Sequence, residues 1–296
     1  MASLKEVRTR IASVKSTRQI TSAMKMVAAS KLRRAQNAIL GMRPYASKLN
    51  EIIQNLSHDL EGSGEGQWSD DRGEQKILLI PVTSNRGLCG AFNINIVKAT
   101  AELIRNNFQE QYNKENLHIY SIGKKGADTL KAWGYNVKEV NSGILDDLNF
   151  ENAVLIAEQM MKDFTDKKYD KIFLIYNEFK NAAVQIVKHQ QYLPVAQHDT
   201  DNETENTEIQ ANYIFEPDKE QILEAIVPKS IKVQLYKALL DSVAAEHGAR
   251  MTAMHLATEN ADELLKDLRL SYNKARQAAI TKEILEIVGG AEALKG

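Results

Sequence analysis

The sequence predicts an α/β protein: a long antiparallel two-helix coiled coil, formed by the N- and C-terminal segments, with a compact α/β domain inserted between them. Three observations carry this. Apolar residues recur every three or four positions through the first sixty residues. Short apolar runs then alternate with amphipathic stretches between 76 and 195. A second three-and-four pattern runs from Tyr236 towards the end of the chain.

The first pattern reads Leu4, Val7, Ile11, Val14, Arg18, Thr21, Lys25, Ala28, Leu32, Ala35, Ile39, Met42, Ala46, Leu49, Ile53 and Leu56. It lasts about eight heptads, well past the three or four that argue a coiled coil, and such a helix would span roughly 80 Å. Pro44 should bend or loosen it once. Only Arg18, Thr21 and Lys25 are polar on the seam, so they are expected to fix register or to face something other than the partner helix. The segment is also basic. Between residues 1 and 43 stand Lys5, Arg8, Arg10, Lys15, Arg18, Lys25, Lys31, Arg33, Arg34 and Arg43 against Glu6 alone, although the whole chain has a net charge of -1. A basic helix calls for an acidic partner, be it nucleic acid, anionic lipid or a protein surface.

Residues 61–75 are rich in Gly, Ser and acids, and read as a linker. The domain 76–195 then shows strands at 76–83, 117–122, 171–176 and 183–189 and helices at 92–111, 124–133 and 149–165, the alternation of a mainly parallel sheet. Residues 196–218 form an acidic loop, and Glu216, Pro217 and Asp218 resemble a helix start. The helix expected over 219–296 carries Pro228 and a seam through Tyr236, Leu240, Val243, His247, Arg250, Met254, Ala257, Ala261, Leu264, Leu268, Ser271, Ala275, Ala278, Lys282 and Leu285. Two such helices bury their seams most simply against each other, antiparallel, with small residues such as Ala28, Ala35, Ala257 and Ala261 allowing close approach. The last turns, Ala278, Ala279, Ile280, Ile284, Leu285, Ile287, Val288 and Leu294, are apolar on several sides and should require a sheath.

Several chemistries find no support. No run of about 18 apolar residues is present, and the charged start lacks the apolar stretch of a signal peptide, so the chain is expected to stay where it is made. The single cysteine, Cys89, excludes a disulfide within the chain and a thiolate zinc cluster. No GxxxxGK[ST] loop occurs, and Gly62, Gly64 and Gly66 lack the strand and helix of a dinucleotide loop. Gly123, Lys124, Lys125 and Gly126 do stand between a strand and a helix, where an anion is conceivable but a plain turn is the better reading. His118, His189, His198, His247 and His255 show no metal-ligand spacing. No cofactor is expected.

Four blocks carry a resemblance. Residues 19–36 (QITSAMKMVAASKLRRAQ), 84–93 (SNRGLCGAFN), 246–254 (EHGARMTAM) and 272–284 (YNKARQAAITKEI) are similar, in order and across nearly the whole chain, to signature segments of the gamma subunit of F-type ATP synthases. The resemblance implies a Rossmann-like inserted domain and a central stalk turning inside three alpha and three beta subunits. It implies that torque passes between a membrane c ring and catalytic beta subunits, with an epsilon subunit as a further partner. It implies a non-catalytic subunit held peripherally at the cytoplasmic face of a bacterial inner membrane. By motif match, Met24 and Lys25 fall at the lever contact, Arg250, Gln277 and Thr281 at the carboxyl-terminal contacts with the beta ring, and Tyr213 and Glu216 at the foot on the c ring. The alternative is a basic coiled coil that binds nucleic acid. Against it, Tyr45 is the only aromatic before Trp68, leaving no stacking platform for single strands.

Overall fold

A computed structural model describes residues 4–58, 68, 70, 72–195 and 219–293. In chain order the elements are α1 (Leu4–His58), β1 (Ile77–Pro81), α2 (Phe92–Asn107), α3 (Gln109–Asn113), β2 (Leu117–Ile122), α4 (Lys124–Ala132), β3 (Val137–Asn141), a 3-10 turn (Gly143–Leu145), α5 (Phe150–Thr165), β4 (Lys171–Phe179), β5 (Gln185–Leu193) and α6 (Lys219–Ala293). They divide into two compact units, residues 1–29 with 250–296 and residues 30–249. Most of the expected linker 61–75, and the whole acidic loop 196–218 with the helix start at Glu216, lie outside the described residues.

The unit 30–249 is built on a five-stranded sheet of order β3-β2-β1-β4-β5. The strand pairs β1·β2, β1·β4 and β2·β3 are parallel, while β5 returns antiparallel on β4. Strand β1 is buried at all five positions, because helices cover both faces of the sheet. Ile77 and Leu79 meet Ile96, Ile104, Leu130 and Phe108 of α2, α4 and the joint after α2. Leu78 and Ile80 point the other way, to Ala153, Met160 and Phe164 of α5 and to Ile231, Leu235 and Leu239 of α6. The fully buried Tyr192 on β5 donates its hydroxyl to the Ile231 carbonyl at 3.1 Å, and burial pushes its phenol well up.

Local chemistry sets the element ends. Asn149 accepts from the Asn152 N–H at 2.7 Å and caps α5. Asn181 accepts from the N–H groups of Ala183 and Val184 and turns β4 back into β5. The single helix expected over 92–111 is two helices, because Phe108 leaves helical geometry (φ -127°) to bury its ring 5.3 Å from Phe173. Strand β3 goes beyond the sequence expectation. Only Val137 of its five residues is buried, so this edge strand shows no apolar alternation. Helix α6 needs a glycine at 248. A Cβ there would lie 3.2 Å from the Ala182 Cα and 3.3 Å from the Phe179 ring of the β4–β5 hairpin. Both proline sites, Pro44 and Pro228, fall inside continuous helix.

In the unit 1–29 with 250–296, the two helices pair antiparallel, as four polar contacts record. Arg8 donates to the Tyr272 hydroxyl at 3.0 Å, Arg18 Nε meets Asp262 at 2.6 Å, Thr21 shares a 2.8 Å bond with Thr258, and Lys25 reaches His255 at 3.2 Å. Each step forward on α1 is matched by a step back on α6. On α1, Val7, Thr21, Ala28, Leu32, Ala35, Ile39 and Leu49 are buried, all on the seam read from the sequence. Arg18 departs from it, with its side chain 44% exposed against Asp262. On α6 the seam needs correction. Met254 and Ala261 are buried, but the next buried leucine is Leu265, with Leu264 48% exposed. Tyr272 and Ala279, half-buried, likewise take the places given to Ser271 and Ala278. Both phases share Met254, Ala261, Leu268 and Ala275 and differ between them. With leucine at both 264 and 265 and alanine at both 278 and 279, the pattern could not choose.

The Arg18–Asp262 pair is half-exposed on both sides. A double-mutant cycle with Arg18→Ala and Asp262→Ala is expected to give a coupling below about 1 kcal/mol. A larger value in urea unfolding would mean the pair is shielded from water.

Candidate functional site

The described residues among those singled out for partner contact fall into two bands. In the first, Met24 is half-buried and Lys25 donates from Nζ to His255 Nδ1 at 3.2 Å. Nε2 of the same ring lies 3.6 Å from Glu259 Oε1, one turn further along α6. Thr21 and Thr258 are bonded beside them, and the Thr258 hydroxyl also lies 2.7 Å from the Met254 carbonyl. Around this band Ile20, Met26 and Val27 stand 58%, 66% and 58% exposed, apolar side chains turned outwards on a basic helix. Arg250 is buried, at 9%. It is therefore part of the packing of its own chain as well as a candidate for contact.

The second band lies 22 residues beyond His255 on α6, about 33 Å of helix rise. Gln277 and Thr281 are both exposed, and the Thr281 hydroxyl bonds back to the Gln277 carbonyl at 3.0 Å. Nearby Ile280, Ile284, Leu285, Ile287 and Val288 are between 49% and 71% exposed. The antiparallel register explains why. Arg8 already meets Tyr272, so few residues remain before the start of α1 to cover the later turns of α6. That Arg8 contact raises the guanidinium pKa through the tyrosine hydroxyl, and lowers the Tyr272 phenol by the same bond. Tyr213 and Glu216 lie outside the described residues.

The sequence reading picked Lys25 but not its partners. His255, Thr258, Glu259, Asp262 and Tyr272 acquire meaning only once the register of two segments more than 200 residues apart is known. The spacing of His255 and Glu259, one helical turn, was the one signal available.

The α/β unit does not offer the phosphate cradle that its parallel topology suggests. The first N–H groups of α4 are spoken for by three consecutive residues after β1. Lys124 donates to Asn85 Oδ1 at 3.3 Å, Lys125 to the Ser84 carbonyl at 3.0 Å, and Gly126 to the Thr83 hydroxyl at 3.0 Å. Gly123 and Gly126 are there because Thr83 presses on both. The turn reading of 123–126 therefore stands over the anion reading. Cys89 is buried at 2%, with the Asn93 amide 3.3 Å and the Ser84 hydroxyl 3.7 Å from its sulfur. His118 bonds to the Tyr169 hydroxyl at 3.1 Å. Burial, then Lys138 and Lys168, lowers its pKa, while burial, Asp163 and Glu139 push Tyr169 up to about 12. Among the described residues no group of His, Cys, Asp or Glu is placed to hold a metal ion.

These features define a class: an α/β protein whose two chain ends pair antiparallel and present polar and apolar side chains outwards. Residues 3–294 match the family described as ATP synthase. The chain is 56% identical over the full length of both proteins to the ATP synthase gamma chain of Christiangramia forsetii, and 54% identical, again end to end, to that of Flavobacterium johnsoniae. The chain belongs to the ATP synthase gamma chain family. Among solved structures, a chain of the Tetrahymena thermophila mitochondrial ATP synthase central stalk and c-ring assembly is 30% identical, with a TM-score of 0.58 over 80% of this chain and 99% of that one. A chain of the Euglena gracilis mitochondrial enzyme, 21% identical, shares the fold with a TM-score of 0.71 over 98% and 94%.

Proposed function

We propose that this chain is the non-catalytic central-stalk rotor subunit of an F-type ATP synthase, passing torque between a c ring and a hexamer of alpha and beta subunits. The observation that carries the reading is the end-to-end identity of 56% to a gamma chain. The two bands on the paired helices give it a mechanical basis. A rotor must engage its surroundings unequally on different sides. Partly exposed charges such as Lys25 can do this at contacts that cost little to break during turning. The apolar surface from Ile280 to Val288 is suited to a protein sheath. In this reading Met24 and Lys25 meet acidic levers of beta, Arg250, Gln277 and Thr281 meet the beta ring further along, and Tyr213 and Glu216 stand on the c ring, with epsilon as a neighbour. The chain works at the cytoplasmic face of a bacterial plasma membrane, held there by other subunits. Among the described residues no helix is long and apolar enough to cross a membrane. Nothing in the geometry or the relatives favours the nucleic-acid alternative.

The test is reconstitution. Alpha and beta subunits with this chain should hydrolyse ATP many-fold faster than without it, and robust ATPase in its absence would refute the role. Gln277 separates contact from folding better than Arg250, because it is exposed whereas Arg250 is buried. Gln277→Ala is expected to lower the ATPase of the assembled complex about two- to fivefold, the loss of a hydrogen bond of about 0.5–1 kcal/mol, with unchanged thermal unfolding of the free chain. Equal activity would remove Gln277 from the contact.

A further inference from the structure

The Lys25–His255–Glu259 array has a definite protonation logic. An ammonium has donors only, so the 3.2 Å contact requires His255 Nδ1 to present its lone pair to Lys25. The ring proton then sits on Nε2, the atom facing Glu259 Oε1 at 3.6 Å. The imidazole is faced by Lys25 from α1 and by Glu259 from its own helix. Along the helices the next charged pair is Arg18 and Asp262, bonded to each other at 2.6 Å, and Arg250, five residues before His255 on α6, is buried.

We infer that His255 is a positioning residue: neutral, it holds the Lys25 ammonium in place for an acidic surface of the surrounding subunits, and protonated, it releases it. This deepens the rotor reading and rests on it for the role of Lys25. Adding a proton at Nδ1 removes the acceptor that Lys25 has there and sets two cations at hydrogen-bond distance. The imidazolium turns its attraction to Glu259, and the lysine stem is left to swing. The contact therefore depends on the protonation state of the ring. Lys25 is then positioned while the ring is neutral and unheld once it is protonated.

Two measurements test this. In the assembled alpha–beta complex, the ATPase of the wild-type chain is expected to fall about two- to threefold further between pH 8 and pH 6 than that of His255→Gln, whose amide oxygen can accept from Lys25 but cannot be protonated, the size expected for one half-exposed contact. His255→Leu, without an acceptor, should be low at both pH values. Superposable profiles for wild type and His255→Gln would overturn the inference. In the free full-length chain, amine acylation at pH 8 read by mass spectrometry should label Lys25 several-fold faster in His255→Leu than in wild type, with exposed Lys15 as internal reference. Equal labelling would overturn the holding contact itself. Faster labelling combined with a Lys25→Met complex as active as wild type would keep the contact and refute the assignment of Lys25 to the rotor interface.

Discussion

Gly123→Ala is expected to unfold the α/β unit. Gly123 has φ +95°, and a Cβ there would lie 2.2 Å from the Thr83 carbonyl oxygen and 2.6 Å from its carbon. The obstacle is backbone of the central strand region and cannot rotate away. Left-handed strain and overpacking together should cost more than about 4 kcal/mol, a large part of the stability of a typical domain. Two controls isolate the cause. Gly134 has φ +88° with nothing within 4 Å of a Cβ, so Gly134→Ala should lose only the conformational part, about 1 to 2 kcal/mol. At Gly126 the Cβ would meet the Thr83 side chain, 2.5 Å from both Cγ2 and Oγ1. Thr83→Ala should therefore partly rescue Gly126→Ala and leave Gly123→Ala unrescued. Urea unfolding of the full chain reads all five variants, and a Gly123→Ala chain as stable as Gly134→Ala would show that Thr83 does not press on the turn.

The second large effect lies in the paired helices. Leu265→Asp puts a carboxylate where the side chain is 6% exposed, and should destabilise the unit by about 3 to 5 kcal/mol, through lost packing and an unpaired buried charge. Leu264→Asp, one residue earlier at 48% exposure, should stay within about 0.5 kcal/mol in the free chain. Circular dichroism during thermal unfolding distinguishes them, and the reverse order would restore the phase read from the sequence.

That phase shows where sequence reasoning runs out. On α1 the line of apolar residues read from the sequence matched the buried face at Val7, Ala28, Leu32, Ala35, Ile39 and Leu49, although Ile20, Met26, Val27 and Leu40 lie off it and are exposed. On α6 two adjacent apolar lines compete, and only packing against α1 chooses. The same contrast holds in the α/β unit. Strand β1, covered on both faces, announces itself as Ile77-Leu78-Leu79-Ile80, whereas β3 has one buried residue and looks like loop. For the candidate site, Lys25 stood out with Arg18 and Thr21 as a polar interruption of the first seam and Arg250 with His247 as one of the second, while Met24 entered only by motif match. Their partners did not, because hydrogen bonds such as Thr21–Thr258 join residues 237 apart. The closed cradle at Gly123 was equally out of reach. Whether backbone donors face an anion or Thr83, Ser84 and Asn85 depends on a loop about 40 residues upstream.

The central claim is rotation, and one measurement addresses it directly. Lys131 is exposed on α4, while the native thiol Cys89 is 2% exposed, so Lys131→Cys gives a single reactive handle. A bead attached there, on a complex with alpha and beta subunits fixed to a surface, should turn in one direction when ATP is added and stop when it is removed. A bead that stays still while the same complexes hydrolyse ATP at full rate would contradict the account.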